Sequence, residues 1–541
     1  MQKTIAKKKK KTSVNIHGRN ALQLILVGAV TGVFAGAVVS LFTILAHIGE
    51  EFSRGAYAFV RANPAFIPLL ILALGLGAFF ISVFAEISSA SRGCGIPQAE
   101  GATRGFVRLK WFKDATATFA SCLVSIFLGL SIGVEGPSAL IGACMGDGVA
   151  SSTYRNEMIK RYQITGGACT GLAVAGNAPL TGMIFAFEEA HKRFTPEVFI
   201  CAFSSVIFGM LTRTVIYSAF GLNIEIAFGS YTFFELPLTA YAFVVLSGVA
   251  CGLLGVAFYK ACFFVRRLFK RIQTKKPKYN HALRIAIAVF LGGLVSFIAT
   301  GVMGGGHELI HSLGTLGGAG ETHMQSVWGV SLVVSLAIIL ILKFLITTVN
   351  VGSGIPCGIF IPIIAMGACL GGLLNKAWMA LGMDGKYADL MIMLCISAYF
   401  ATIVKAPLTA IMMICEFTGS FAPLLPVVIA VSIGYIIGDI FRTDGIYEEL
   451  LEIYERESGF HEQSVREVYT LAVTHGAIAE KREIRDVLWP SGARVVEIKR
   501  GDEVILPDGD TVLHKGDILT IICKTPDHQK VKEELTHILG A

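Results

Sequence analysis

The sequence predicts an all-α polytopic membrane protein built from two inverted repeats, followed by a small cytoplasmic α/β domain. Apolar runs long enough to span a bilayer recur from Ala21 to Phe441. Only 16% of the 541 residues are charged, whereas a soluble protein carries about a quarter. Two pairs of motifs recur at nearly the same spacing, and the composition becomes charged and polar after Phe441. Together these observations give the fold class and its division into two parts.

The composition divides the chain into five segments. Residues 1–20 carry a run of lysines and are expected to form a basic cytoplasmic tail. Residues 21–230 and 231–445 are the two membrane repeats. The charged stretch 446–464 is predicted to be a linker helix, and residues 465–541 a soluble cytoplasmic domain.

The soluble domain shows strand patterns separated by tight turns. We expect strands at Val468–Val473, Arg494–Ile498, Leu506–Leu513 and Gly516–Ile522, because apolar and β-branched residues alternate there between turn residues. A terminal helix is expected at Asp527–Leu539.

The internal repeat is visible in two motif pairs. The pattern G-x3-P-x4-GAC-x-G at residues 133–146 recurs at residues 358–371, which is 225 positions later. The APLT motif that begins at residue 178 is followed by a glutamate at residue 188. The same motif and glutamate recur at residues 406–416, which is 228 positions later. Two independent matches at almost one spacing indicate duplicated halves.

The distribution of charge predicts that the halves have opposite orientations. The basic run 266–278 corresponds to about residues 40–52 of the first half, which contain no lysine or arginine. Basic loops lie preferentially on the cytoplasmic side of a membrane. Inverted halves are common in secondary transporters, whose substrates bind near the midplane between the repeats. Basic runs can also bind nucleic acid, but beside membrane spans we expect no nucleic-acid partner.

The stretch GVEGP at residues 133–137 places one acid, Glu135, inside a long apolar region. A charge at mid-bilayer costs at least about 2.5–3.5 kcal/mol on insertion scales, so intramembrane acids are usually functional. Pro137 suits the first turn of a helix, and the glycines leave backbone N–H groups accessible. Because a helix N-terminus in a membrane cavity attracts anions, the stretch predicts an acid beside an anion site.

Two further glycine–proline turns interrupt the apolar sequence. GCGIP lies at residues 93–97, and GSGIP at residues 352–356 directly precedes GIFIP at residues 358–362. Each could be a turn that breaks a helix for packing, but together they indicate several helix ends that converge on a ligand. The 12 cysteines form no CxxC pair. We therefore expect no metal or other cofactor, and no nucleophile–base constellation predicts an enzyme.

In combination, GCGIPQAEG, GVEGPSALIG and GIFIP resemble the three anion-binding signatures of the CLC chloride channel and transporter family. NAPLTG and KAPLTA fit this family as well, and the resemblance covers residues from about 20 to 450. It implies a CLC-type helical bundle that spans the cell membrane many times, with both termini in the cytoplasm. It also implies a homodimer with one anion pore in each subunit.

The resemblance implies roles for individual residues. Glu135 matches an external gating glutamate, whose carboxylate competes with the anion and takes up a proton. The backbone N–H groups of Ile359 and Phe360 would face the anion, and Tyr447 would donate its hydroxyl to it. The alternative for Tyr447 is an aromatic residue at the membrane interface. Glu189 matches the internal proton-transfer glutamate of the exchangers.

The acids that follow the first APLTG motif are expected to differ in role. Glu188 has a counterpart in Glu416, which predicts a structural role in both halves. Glu189 has Phe417 as its counterpart, which suggests a role specific to one half. The alternative is that Glu189 pairs with Lys192 or Arg193 at a helix end.

Three other positions bear on the site. Glu100 is predicted to be structural. Cys94, which belongs with Gly95 to the first anion signature, stands where the family usually has serine. Because a thiol donates a weaker hydrogen bond than a hydroxyl, this change bears on anion selectivity. Val134 replaces the usual arginine, and the loss of that positive charge should weaken the attraction of anions from outside.

The tail sequence ARVVEIKRGDEVILPDGDTVLHKGDILTII resembles the TrkA-C domain of regulators of K+ conductance. The resemblance implies a dimeric, ligand-sensing module. Some relatives bind cyclic di-AMP, which is therefore a candidate ligand. Dimerisation without a ligand is the alternative.

These observations predict a CLC-type Cl−/H+ antiporter that a cytoplasmic domain regulates. Glu135 would alternate between blocking the anion path and swinging out protonated, while Glu189 would relay protons on the inner side. A passive chloride channel of the same fold is one alternative. A second alternative is a fluoride/proton antiporter, since fluoride-specific relatives usually vary at the pore serine. A third is a membrane receptor that signals through its tail.

Overall fold

The computed structural model describes residues 2–153, 157–192, 195–222, 231–274, 276, 279–314, 331–457, 465–490, 492–501, 503–525 and 528–540, with side chains from residue 21 onward. Arg193, Pro526, Asp527 and the end of the predicted linker, residues 458–464, lie outside this set.

The described chain is mostly helical up to residue 457. The helices of the first repeat are α1 (Gln2–Ala62), α2 (Ile67–Ile87), α3 (Ile96–Arg104), α4 (Trp111–Phe127), α5 (Glu135–Thr153), α6 (Glu157–Gly176), α7 (Pro179–Phe185) and α8 (Pro196–Ala219). Those of the second repeat and linker are α9 (Tyr241–Arg271), α10 (Asn280–Ile298), α11 (His307–Leu313), α12 (Leu332–Ser353), α13 (Phe360–Ala380), α14 (Ala388–Val404), α15 (Pro407–Thr418), α16 (Leu424–Ile440) and α17 (Ile446–Glu457).

Eight segments of the described chain are long and apolar enough to cross a membrane. Large side chains that remain exposed on them, such as Phe34, Leu72 and Val215, are apolar, as expected for surfaces that face lipid. The predicted polytopic helical fold is therefore confirmed. Helix α1 includes most of the segment that the sequence predicts to be a basic tail.

The glycine–proline motifs interrupt the helices where the sequence predicts. Helices α3, α5 and α13 begin at Ile96, Glu135 and Phe360, so each starts inside or directly after one of these motifs. Each has a proline in its first turn, where the missing N–H group costs no helical hydrogen bond. Because these helices begin inside the protein, their N-termini point at one another instead of at water.

The two repeats meet through their equivalent glycines. The Gly133 N–H donates to the Gly358 carbonyl oxygen at 2.8 Å, and the Gly358 N–H donates to the Gly133 carbonyl oxygen at 3.2 Å, as an antiparallel bridge. Helix α5 packs on α6, and the equivalent α13 packs on α14. The inverted repeat predicted from the motif spacing is therefore confirmed.

Glu188 and Glu416 cap each other's repeat. The Glu188 carboxylate accepts hydrogen bonds from the N–H groups of Leu408 (2.8 Å) and Thr409 (2.6 Å) at the start of α15. The Glu416 carboxylate accepts the equivalent bonds from the first turn of α7, at 2.6 and 2.7 Å. A carboxylate at a helix N-terminus satisfies free N–H groups and complements the helix dipole. The structural role predicted for both acids is confirmed.

The C-terminal domain is a four-stranded antiparallel sheet of order β1-β4-β2-β3, covered by one helix. Its elements are β1 (Val465–Ala472), β2 (Ala493–Arg500), β3 (Glu503–Ile505), β4 (Ile518–Thr525) and α18 (His528–Leu539). The strand predicted at Leu506–Leu513 is wrong, since Pro507 and a turn at residues 509–510 interrupt it and only the single bridge of Val512 to Glu483 remains.

One buried ion pair holds this domain's loop between β3 and β4. Arg500 donates from two guanidinium nitrogens to the carboxylate of Asp517, both at 2.8 Å. Burial acts to raise the pKa of Asp517, but the hydrogen bonds from Arg500 and from the His514 N–H lower it below its usual value. Asp517 thus stabilises the fold above its unfolded pKa, and this stability is lost as the pH falls through the folded value.

The reciprocal caps give a prediction about stability. Replacing Glu188 by Ala should destabilise the protein by about 0.5–2 kcal/mol, because the N–H groups of Leu408 and Thr409 at the start of α15 lose the carboxylate that caps them. Glu416→Ala should have an effect of similar size. Thermal unfolding of the purified protein measures both, with the exposed Glu452→Ala as control. Unfolding midpoints equal to that of the control would contradict the capping role.

Candidate functional site

The starts of three helices lie together because their preceding loops hydrogen-bond to one another. The pairing of Gly133 with Gly358 brings α5 and α13 side by side. The Cys357 N–H donates to the Gly93 carbonyl oxygen at 3.0 Å, which adds the loop before α3. Gly95 adopts a left-handed φ of 86°, and a Cβ there would overlap the carbonyl oxygen of Gly136. Only glycine permits this approach.

Helices α5 and α13 present the same backbone chemistry to this point. The first hydrogen bonds of their ladders run from the Ser138 N–H to the Val134 carbonyl (2.9 Å) and from the Ile363 N–H to the Ile359 carbonyl (3.0 Å). The N–H groups before them have no partner within the helix. Such groups, together with the helix dipole, make a helix N-terminus an anion-binding element.

Tyr447 lies near the start of a fourth helix, α17, which packs against α3. Its side chain is 1% exposed. Its hydroxyl makes no hydrogen bond to any described residue. A buried hydroxyl normally has a partner, so this donor is available to a ligand. The burial of Tyr447 argues against the alternative of an interfacial aromatic.

Cys94 is buried and is one of the residues that line a cavity of about 630 Å³. Four basic residues line this cavity: Arg92, Arg266, Lys270 and Arg284. Its two lining acids, Glu86 and Glu457, are themselves paired with these bases. The cavity that Cys94 lines therefore carries a net positive charge. Two of its bases belong to the run 266–278 predicted to be cytoplasmic.

Glu135 is fully buried at the start of α5. One carboxylate oxygen, Oε1, lies 3.3 Å from Nε2 of His307 at the start of α11. The other oxygen, Oε2, has no hydrogen-bond partner among the described residues. A buried carboxylate with one oxygen unsatisfied is costly, so a stable fold usually retains one only for a purpose.

Lys343 supplies a buried positive charge that sequence reasoning missed. Its ammonium group is inaccessible to solvent and donates to the Ser131 hydroxyl and to the carbonyl oxygens of Val302 and Gly304, each at 3.2 Å. These partners are the loops that lead to Glu135 and to His307. The signal was a single lysine inside the 22-residue apolar helix α12, and such intramembrane charges are usually functional.

Glu189 lies near the C-terminal end of α3, on a π-helical turn at Ala186–Ala190. Single π turns often mark functional sites. Its side chain is 5% exposed and faces a cavity of about 950 Å³. Acids outnumber bases in the lining of this cavity: Glu188, Glu189, Asp439, Asp444, Glu448, Glu449 and Glu452 against Lys192, Lys405, Arg442 and Arg456.

Arg104 ties the Glu189 turn to its neighbours. Its guanidinium donates to the carbonyl oxygens of Glu189 (2.7 Å) and Ala190 (2.8 Å), and to the Glu448 carboxylate on α17 (3.0 Å). Lys192 pairs with Glu448 at 2.5 Å, which argues against the alternative that Lys192 is the partner of Glu189. Glu100 is fully buried, and its carboxylate lies 3.9 Å from Arg104.

The C-terminal domain contacts the region around Arg104 directly. Arg161 on α6 donates to the carbonyl oxygens of Thr103 (3.0 Å) and Arg104 (2.9 Å) at the end of α3. It also donates to the Trp489 carbonyl oxygen of the C-terminal domain at 3.3 Å. Arg482 forms an ion pair with Glu197 on α8. Arg161 thus links the tail domain to the helix that begins at the candidate site.

The structure brings Cys94, Gly95, Glu135, Ile359 and Phe360 to one region of converging helix starts. It places Glu189 apart from them, at a separate acidic cavity. His307, like Lys343, was missed by sequence reasoning. The run MGGGHE at residues 303–308 was visible, but a lone histidine after glycines has no pattern that links it to Glu135.

Two family models match the chain. The model of the voltage gated chloride channel matches residues 76–439, and that of the TrkA-C domain matches residues 468–536. The H(+)/Cl(−) exchange transporter ClcA of Vibrio cholerae is 27% identical over 445 residues, which cover 80% of this chain and 90% of the relative. ClcA of Yersinia pestis is 27% identical over 433 residues, which cover 76% and 83%.

Solved structures share the fold. A slow cyanobacterial Cl−/H+ antiporter superposes with a TM-score of 0.70 at 21% identity, over 81% of this chain and 99% of that chain. A CLC-type fluoride/proton antiporter superposes with a TM-score of 0.60 at 20% identity, over 78% and 96%. With a family model that matches most of its membrane region and with this shared fold, the chain belongs to the voltage gated chloride channel (CLC) family and carries a C-terminal TrkA-C domain.

Proposed function

We propose that this protein exchanges chloride for protons across the cell membrane. The observation that carries the proposal is the buried Glu135 carboxylate, which has one unpartnered oxygen and lies where the starts of α3, α5 and α13 converge. The relatives named as H(+)/Cl(−) exchange transporters support the choice of substrates.

In this mechanism, Glu135 and the anion compete for the same environment. The anion binds the backbone N–H groups of Ile359 and Phe360, with the Tyr447 hydroxyl and the Cys94 thiol as further donors. A negative charge near a helix N-terminus gains about 0.3–1 kcal/mol, and up to ~2 kcal/mol when partly buried. The helix N-termini stabilise Glu135 when its carboxylate is ionised, but not when it is protonated and neutral. Protonation therefore releases the carboxyl from the path and lets the anion take its place.

Anions and protons use separate inner entrances in this proposal. The net positive cavity that Cys94 lines attracts chloride, since a charged cleft with low-dielectric walls raises the local concentration of counter-ions. The acidic cavity repels chloride and leads to Glu189 instead. Glu189 would pass protons between this cavity and Glu135. The buried Glu100 stays a structural residue in this account.

We further propose that the C-terminal domain regulates transport from the cytoplasm. Both termini would lie there, as the basic run 266–278 suggests by the positive-inside rule. A ligand such as cyclic di-AMP that shifts the domain would act through the contacts of Arg161 and Arg482. The proposed assembly is a homodimer with one anion path in each subunit.

A fluoride/proton antiporter is the second candidate, and Cys94 is the observation that favours it. The thiol replaces the hydroxyl expected at this position and is a weaker donor. Fluoride and chloride differ in size and in hydration, so a changed donor at the site should change the preference between them.

Proton coupling tests the main proposal. In proteoliposomes of the full chain, an imposed chloride gradient should drive protons uphill. Glu135→Gln and Glu189→Gln should each reduce proton movement to the leak rate while anion flux continues, because the first removes the titrating gate and the second removes its supply of protons.

The exposed acid Glu51, on α1, gives a matched control: Glu51→Gln should leave both fluxes unchanged. Chloride flux without any uphill proton movement in the unmodified protein would reject the exchanger and favour a passive channel.

Selectivity tests the second candidate. Cys94→Ser restores the residue usual at this position in the family and should raise chloride flux relative to fluoride flux by about fivefold, the ratio that a difference of about 1 kcal/mol between the two anions gives. Competition between the two anions in the liposome assay measures this ratio. If the unmodified chain transports fluoride in preference to chloride, the chloride proposal is wrong. An unchanged ratio in the variant would remove Cys94 from the site.

Truncation tests regulation. A chain that ends after Glu457 should keep its basal anion flux but lose any response to cyclic di-AMP, since the contacts of Trp489 and Arg482 are removed. Flux with and without the nucleotide, together with the size of the purified particle, measures both effects. A truncated chain that still responds would contradict regulation through this domain, and one that no longer dimerises would favour a purely structural role.

A further inference from the structure

His307 links the fully buried Glu135 to the protein surface. Its Nε2 lies 3.3 Å from Oε1 of Glu135, and its side chain is 41% exposed whereas that of Glu135 is 0% exposed. Among the described residues, His307 is the side chain to which the Glu135 carboxylate is hydrogen-bonded. The imidazole is therefore in contact with both solvent and the carboxylate.

The loop that carries His307 is held in place from several sides. Lys343 donates to the carbonyl oxygen of Gly304, and the Gly305 N–H donates to Oε1 of Glu50 at 3.4 Å. Gly306 has a left-handed φ of 112°, which turns the chain into α11. These hydrogen bonds fix the backbone where α11 begins, so the fold itself places the imidazole beside Glu135.

Charged groups face His307 from every helix around it. Glu135 comes from α5, and Glu50 and Arg54 come from α1. Lys343 comes from α12, and Glu308, which pairs with Arg54, follows on α11 itself. The carboxylates of Glu135 and Glu50 therefore favour a positive charge on His307, and the ammonium of Lys343 opposes it.

We propose that His307 is an external latch that holds Glu135 in its blocking position. The proposal rests on the function assigned to Glu135 above. The Nε2–H group donates to the ionised carboxylate, and hydrogen bonds to a charged acceptor are roughly twice as strong as those between neutral groups. Protonation of Glu135 weakens this bond and frees the carboxyl to move. His307 thereby sets how acidic the outside must be before the path opens.

The latch also fits the departure at Val134. The cationic side chain usual next to the gate in the family is missing here. His307 supplies a donor to the carboxylate from a different helix, and protonation from outside gives it a positive charge. A protonated His307 strengthens its hold on an ionised Glu135, so external acid acts on the two residues in opposite directions.

The test is the pH dependence of anion efflux from proteoliposomes of the full chain. His307→Leu removes the donor at similar size, so half-maximal flux should move upward by about one pH unit. His307→Gln keeps an N–H donor without a titrating charge, so it should shift the pH of half-maximal flux by less than half of the shift in His307→Leu. The exposed His47→Leu on α1 is the matched control and should leave the midpoint unchanged.

A second background separates a latch from a structural effect. In Glu135→Gln, which carries no titrating carboxylate, anion flux should follow the same pH profile with and without His307→Leu. A midpoint that is unchanged in His307→Leu overturns the proposal, and so does a shift that persists in the Glu135→Gln background. The readout is anion flux, which a passive channel also carries. An absence of proton coupling would therefore reject the proposal of exchange, whereas the proposal about His307 is tested separately by the shift in the pH dependence of flux.

Discussion

The pairing of two glycine backbones, Gly133 and Gly358, is the constraint on which the rest of the membrane domain depends. Each glycine donates its N–H to the carbonyl of the other, and a Cβ on Gly358 would overlap the Gly133 carbonyl oxygen. Helices α5 and α13 can start side by side because Gly358 lacks a side chain. The same contact relates the two repeats to each other, and the reciprocal caps of Glu188 and Glu416 form a second pair of equivalent contacts between them.

This symmetric frame makes the asymmetry of its side chains meaningful. Glu135 begins α5, and Phe360 stands at the equivalent position of α13, where its ring packs on Phe400 with centroids 4.9 Å apart. One repeat therefore places a titratable group where the other places an apolar ring. The positive polarity near Glu135 comes from His307 and Lys343, which belong to the second repeat. In the proposed mechanism, the gate therefore comes from one repeat and the groups that adjust it from the other.

The sequence predicted the features that have internal counterparts or a recognisable motif. The spacing of the GVEGP and GIFIP motifs predicted the repeat, and the match of Glu188 to Glu416 predicted a structural pair, because duplicated positions share backbone surroundings. His307 and Lys343 were not predicted, since they approach Glu135 through contacts between residues far apart in the chain. The strand expected at Leu506–Leu513 failed because alternating apolar residues outweighed the turn chemistry of Pro507 and residues 508–510.

The central claim is that an anion occupies the point where these helices begin. A structure determined in bromide, whose anomalous scattering locates it without ambiguity, tests this most directly. The account predicts a bromide peak within hydrogen-bonding distance of the Ile359 and Phe360 N–H groups and the Tyr447 hydroxyl. It predicts a second peak at the carboxylate position when Glu135 is replaced by Ala. Bromide bound elsewhere, with this region empty, would contradict it.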